Sequence, residues 1–201
     1  MNRRNCLAAA LGLSGLTILA PRARAQAVAK ASAFLQQVGD SMVAIVNGGQ
    51  PTAQKRQAMT QIVDTNVDVG DIARFCLGRF ARTATPDQQT RYVAAFHDFL
   101  VMSISGHLGE YRGVKLTVLR GREQDGNAIV TSSIERPNNQ PATVDWVIEQ
   151  PATAPKIVDV VAEGTSMRLT QRQDYASYLS QNGNNVDALI KAIVQQTARN
   201  S

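Results

Sequence analysis

Few side chains in this sequence are arranged to do chemistry. His97 and His107 are the only histidines, and at their ten-residue spacing on or near one helix they do not meet at one metal ion. His97 stands beside Asp98, but consecutive helical residues point apart, so the pair reads as polar surface rather than as a base with its orienting acid. Ser132-Ser133 and Ser166 lack the surroundings of a nucleophile elbow. Cys76, between Phe75 and Leu77, reads as a small core residue in preference to a reactive thiol. Arg74, Arg79 and Arg82 are candidates for an anion site, with a solvated or salt-bridged face as the weightier alternative. Asp145 beside Trp146 is the one tempting general base, and strand alternation aims it away from the indole. No metal, nucleotide, cofactor or covalent catalyst is indicated, and no catalytic residue is expected.

The elements that would position these residues fall into two kinds. In Ala27 to Val46 the apolar residues Val28, Leu35, Val38, Met42, Ile45 and Val46 make one stripe of an amphipathic helix, closed by Asn47-Gly48-Gly49. Pro51 opens a second helix, Asp68 caps a short third from Val69 to Leu77, and Gly78 stops it. Thr85, with Pro86 at the first helical position and Gln88 three residues on, predicts a capping box for a helix that fades near Gly109. The period then changes. Val114 to Leu119, Ala128 to Glu135, Thr143 to Glu149 and Lys156 to Ala162 read as strands, the first two joined at Asp125-Gly126-Asn127. Thr170 with Gln173 predicts the start of a helix that ends at Asn182-Gly183, and a last helix carries Val186, Leu189, Ile190 and Ile193. Helices, a four-stranded antiparallel meander and helices again make an α+β domain.

The ends set the compartment. Arg3-Arg4, the apolar run Leu7 to Ala20 and Ala23-Arg24-Ala25 predict a signal peptide over residues 1–25, leaving one domain over 26–201. The chain has 21 Lys+Arg against 16 Asp+Glu. Four of the basic residues and no acidic one lie in the leader, so the remainder carries 17 against 16 and no nucleic-acid partner is expected. One cysteine remains after the leader, which excludes an intrachain disulfide.

The strands are unusually aliphatic. Val114, Leu116 and Val118 share a face with Leu119 opposite, Trp146 and Ile148 share one with Val147 opposite, and Ile157, Val158, Val160 and Val161 are apolar on both. Two-sided burial under helices explains this pattern. So does an aliphatic wall around an apolar ligand, and periodicity alone does not separate them.

Four segments carry a family resemblance. They are the Asp-x-x-x-Ile-Ala-Arg-Phe-x-Leu-Gly-Arg run from Asp68 to Arg79, Thr83-x-Thr85-Pro86-x-Gln88 leading to Phe96 and Phe99, Tyr111-x-Gly113, and Asp159-Val-x-x-Glu163-Gly164-x-Ser166 with Arg172 following. In their order and spacing the chain resembles the MlaC, or toluene-tolerance, family of periplasmic phospholipid-binding proteins. It departs from the family at Pro155, which stands where an aromatic residue often precedes the lysine. The resemblance implies a fold related to the NTF2-like cone, with helices on a curved sheet and an apolar cavity between them that holds lipid tails. It implies no enzymatic activity but a carrier that shuttles phospholipid across the periplasm, between an outer-membrane lipoprotein–porin complex and an inner-membrane ABC transporter. A branch of the family is associated with hopanoids, which keeps a hopanoid-related cargo as an alternative, and a small-molecule enzyme on an NTF2-like scaffold, with Asp145 as its base, is the lesser one. On this reading the expected cavity wall is Phe75, Phe96, Leu100, Ile104, Leu116, Val118, Val130, Ile134, Val144, Trp146, Ile148 and Val160. A tryptophan at Val130 or Val144 is then expected to block loading. Arg74, Arg79 and Arg82 are expected to pair with Asp159 and Glu163 or to meet an acidic partner surface, and Arg172 is a second candidate partner for Asp159.

Overall fold

A computed structural model describes residues 19–106 and 111–199. Six α-helices and one antiparallel sheet make up these residues. Helix α1 (Leu19–Asn47) comes first, then α2 (Thr52–Asn66) and α3 (Val69–Leu77), a 3-10 turn (Gly78–Arg82) and α4 (Pro86–Ser105). The strands β1 (Lys115–Gln124), β2 (Asn127–Glu135), β3 (Ala142–Glu149), β4 (Lys156–Ala162) and β5 (Thr165–Ser166) follow, and α5 (Met167–Gln181) and α6 (Val186–Arg199) complete the order. Residues 1–18 of the expected leader, together with His107 and Gly109, lie outside the described residues. Helix α1 runs without a break through the expected cleavage point after Ala25. No described helix is long and apolar enough to cross a membrane.

Local chemistry sets several boundaries. Asp68 accepts from the Asp71 amide at 2.8 Å and caps α3. Gly78 ends that helix at φ 62°, ψ −131°, a conformation that a side chain strongly disfavours. At α4 the capping box forms in both directions: the Gln88 amide donates to Thr85 Oγ1 at 3.2 Å, and the Thr85 amide donates to Gln88 Oε1 at 3.0 Å.

The sheet is a meander in the order β1-β2-β3-β4-β5. It has five strands rather than four, because Glu163-Gly164, both at positive φ, make a tight turn that folds Thr165-Ser166 back on β4. That hairpin moves the start of α5 as well. Ser166, not Thr170, is its cap and accepts from the Leu169 amide at 3.2 Å, while the Thr170 hydroxyl bonds back to the Ser166 carbonyl. Strand β1 runs past its expected end by means of a bulge between Val118 and Arg120, which turns Leu119 outward and leaves it 56% exposed.

Helix α1 lies across β1 and β2 with Ala31, Leu35 and Val38 buried against Ala128, Val130, Ile148 and Ile157. The crossing is close because Gly121 lacks a side chain: a Cβ there would stand 2.5 Å from Val28 Cγ1 and 3.0 Å from Ser32 Oγ. A second core unites α3, α4, α5 and α6 around Tyr92, Phe96, Leu179 and Leu189. Within it the Tyr92 hydroxyl donates to the Ala73 carbonyl at 3.0 Å and ties α4 to α3.

Candidate functional site

The sheet face turned toward α1 carries a continuous apolar row. Its register sets Val130 opposite Trp146 and Trp146 opposite Val160, a row across three strands. Leu116 stands opposite Ile134 and Val118 opposite Ser132. The indole N–H of Trp146 donates to Ser132 Oγ at 2.8 Å, which satisfies the one polar group on this row and fixes the ring. Val130 and Ile148 are sealed at 0% exposure. Leu116, Val118, Ile134, Trp146 and Val160 are only half-buried, so they keep apolar surface within reach of solvent at the margin of the face.

The twelve expected wall residues fall in several packed clusters. Val118, Val130, Trp146, Ile148 and Val160 belong to the core between α1 and the sheet, and Leu116 abuts α1 at Gly39. Ile104 and Ile134 pack with Val46, Met59 and Val114 at one end. Phe96, with the half-buried Phe75 and Leu100, belongs to the core of α3, α4, α5 and α6. Val144 is buried opposite Ser132. Side-chain packing thus divides the expected wall among these clusters. Two described hollows lie elsewhere, one of about 640 Å³ along α2 and one of about 360 Å³ where α1, α2 and α4 meet, and neither is lined by any of the twelve. Phe34, Ile62 and Val67, half-buried against the inner face, were not expected. Ile62 lies on α2, and Val67 follows that helix in extended conformation, bridged to Ile157.

The residues with chemical potential are placed as follows. Asp145 faces away from Trp146, as alternation requires, accepting from the Thr131 hydroxyl at 2.6 Å and pairing with Arg122 at 3.2 Å. His97 does meet Asp98, at 3.2 Å, and also Asp64 on α2 at 2.7 Å. Burial pulls its pKa down, but the hydrogen bonds to both carboxylates outweigh that and hold it above the ordinary imidazole value. The arrangement is an ion-paired tie between α2 and α4. Among the described residues no group of three His, Cys, Asp or Glu could hold a metal ion.

Arg74, Arg79 and Arg82 do not meet Asp159. Arg74 pairs at 3.9 Å with Asp71 on its own helix, and Arg79 lies over the Phe80 ring. Asp159 is reached instead by Arg168, at 3.5 Å, because the β4–β5 hairpin brings the start of α5 beside it. Arg172 stacks on Phe75 at 4.9 Å, with Arg168 on the same ring at 4.5 Å.

Cys76 is buried, and burial pushes its thiol up to about 12. Native protein at neutral pH should therefore leave Cys76 unmodified by iodoacetamide over a time in which urea-unfolded protein is completely alkylated. Labelling at equal rates, read by mass spectrometry, would contradict the buried thiol.

The family model described as "MlaC protein" matches residues 36–195. A protein of Pseudomonas putida, "Toluene tolerance protein ttg2D", is 25% identical over 144 residues, which cover 71% of this chain and 67% of that protein. A solved structure of a phospholipid-binding protein from Ralstonia solanacearum, in complex with a phospholipid, superposes with a TM-score of 0.73 at 24% identity, over 85% of this chain and 98% of that one.

Proposed function

The chain belongs to the MlaC protein family, and on that premise we propose that it is a periplasmic phospholipid carrier rather than an enzyme. The observation that carries this reading is the aliphatic inner face of the sheet, running from Leu116 to Val160 with its margin half-buried. A lipid crosses water only if its acyl chains are hidden, and each buried methylene contributes about 0.8 kcal/mol. Two chains of membrane length therefore supply on the order of 20 kcal/mol. A wall of Val, Leu and Ile with one tryptophan suits tails of varied length, since it offers contact area without directional bonds. Loading would part α1 and the α3–α4 pair from the sheet at that margin, so that the tails take the place of contacts now made between side chains. The Ralstonia protein, a phospholipid-binding protein with the same fold, supports this assignment of the cargo.

The chemistry points the same way. Its most reactive candidates are engaged in structure: Asp145 in an ion pair, His97 between two carboxylates and Cys76 in the core. Energy for directed transport would come from a partner. An inner-membrane ABC transporter and an outer-membrane lipoprotein–porin complex are the partners we assign, on the family resemblance.

The test is organic extraction and native mass spectrometry of protein purified after expression with its own leader. About one phospholipid per folded chain is the expected result. A hopanoid in its place would change the cargo, and repeated recovery of folded protein without lipid from a lipid-replete host would overturn the carrier reading.

A further inference from the structure

The hollow of about 360 Å³ where α1, α2 and α4 meet is built unlike the rest of the surface. Thr52, the first residue of α2, lines it, and that helix begins without a side-chain cap and without an acidic residue in its first turn. The amides at the start of a helix have no intrahelical acceptor, so the positive end of α2 is open at this point. Lys55, one turn on, lines the hollow too, and its ammonium donates at 2.7 Å to the Val46 carbonyl at the end of α1. The ammonium is thereby held in place with two protons still to give. Arg112 lines the far side. It is set there by Asn47, which accepts from the Gly113 amide at 2.7 Å and donates to the Val114 carbonyl at 3.3 Å. Among the described residues Arg112 forms no ion pair, and none of those that line the hollow is acidic.

The independent observation is Ser105. It lines the same hollow, is 4% exposed, and its hydroxyl has no hydrogen-bond partner among the described residues. Other hydroxyls on α4 satisfy themselves: Thr90 bonds the Pro86 carbonyl at 3.0 Å and Ser103 the Phe99 carbonyl at 2.8 Å. A buried hydroxyl that forgoes this bond leaves a donor unused, which is costly unless a ligand takes it.

An open helix N-terminus, two cations and an unused buried hydroxyl around one hollow form a receptor for a tetrahedral oxyanion. Val46 lines the hollow and also belongs to the apolar cluster that holds Ile104 and Ile134, so the site adjoins the end of the proposed tail wall. We infer that this hollow binds the phosphodiester of the carried lipid, through the amides at the start of α2, Lys55, Arg112 and Ser105. The assignment rests on the carrier reading for its source of phosphate, and free inorganic phosphate shares the same chemistry.

The experiment uses the full mature chain, stripped of lipid and refolded, with vesicles that carry either phosphatidylglycerol or a diacylglycerol of identical tails. Native mass spectrometry reads the lipid taken up. Wild type should take the phospholipid at least about tenfold over the diacylglycerol, the worth of one or two charge-assisted hydrogen bonds. Arg112→Gln should bring that ratio to within about twofold by lowering phospholipid uptake, and Ser105→Ala should move it the same way by less. A wild type without preference, or an Arg112→Gln protein that keeps it in full, overturns the assignment. A parallel titration with inorganic phosphate follows the amide resonances of Thr52 to Lys55. If phosphate shifts them while the two lipids load equally, the hollow is a site for free phosphate and the lipid assignment fails. Should neither lipid load into folded protein, the carrier reading is what fails. The oxyanion site then stands if phosphate shifts those amides in wild type and not in Arg112→Gln, and falls if it shifts none.

Discussion

Asp159→Ala should destabilise the protein by about 3 kcal/mol, as expected when one partner of a buried, hydrogen-bonded ion pair is removed. The carboxylate is 6% exposed. It accepts from the Val160 amide at 2.8 Å, the Ser166 hydroxyl at 2.6 Å and the Arg168 amide at 3.1 Å, with the Arg168 guanidinium at 3.5 Å. Truncation strands these donors where water reaches them poorly, and each unsatisfied group costs about 1–3 kcal/mol before the surroundings relax. The damage extends beyond the pair. Ser166 caps α5, and Arg168 stacks on Phe75, so Asp159 joins β4, the start of α5 and the ring at the edge of the helical core. Asp159→Asn keeps an acceptor for the two amides and should lose about half as much. Urea denaturation checks both variants, since the midpoint falls while the slope stays constant. A loss below about 0.5 kcal/mol in Asp159→Ala would mean that the cluster is as weak as an exposed ion pair.

This cluster also marks the limit of what the sequence discloses. Asp159, Ser166 and the arginines around them stood out as a group, and the arginine that pairs was still misassigned. The pairing depends on Glu163-Gly164 turning the chain so that Arg168 follows directly, an outcome of strand register and not of any local signal. Features whose cause lies within four residues were legible. These include the Asp68 cap, the Thr85–Gln88 box and the turn at Asp125-Gly126, whose φ values of 53° and 82° suit Asp-Gly. The apolar stripe of α1 was equally clear, because a period of 3.6 is a local property.

What escaped was set at a distance. No pattern in β1 says that Gly121 is where α1 passes, since that depends on how two elements cross. The division of the expected wall among separate cores has the same origin. Phe96 and Trp146 were legible as apolar positions of a helix and a strand, but the local pattern could not place Phe96 with α5 and α6 and Trp146 under α1. Ser105 was invisible for a further reason. A serine near a helix end is unremarkable until its hydroxyl proves to be buried and unused.

Val160→Trp should abolish lipid loading while leaving the fold in place. Val160 is half-buried, packs at the edge of the core under α1 and stands opposite Trp146. Added bulk there extends into the margin through which tails are proposed to enter, so it has room to settle against the neighbouring indole without parting α1 from the sheet. An indole that keeps about four methylenes from burial forfeits about 3 kcal/mol of lipid affinity, more than a hundredfold. Val130 and Val144 are poorer places for the same substitution. Val130 is 0% exposed beneath Ala31 and Leu35, where an indole strains the core by about 1–3 kcal/mol, so that lost loading would not distinguish a filled site from a damaged one. Leu119→Trp, at the outward bulge of β1, adds a tryptophan on exposed surface and should load as wild type does. The measurement is the equilibrium partition of a labelled phospholipid between protein and vesicles, with thermal melts to verify folding. A folded Val160→Trp protein that binds lipid as tightly as the Leu119→Trp control would remove the β4 edge from the path of the tails, and with it the row from Val130 to Val160 on which the carrier reading is built.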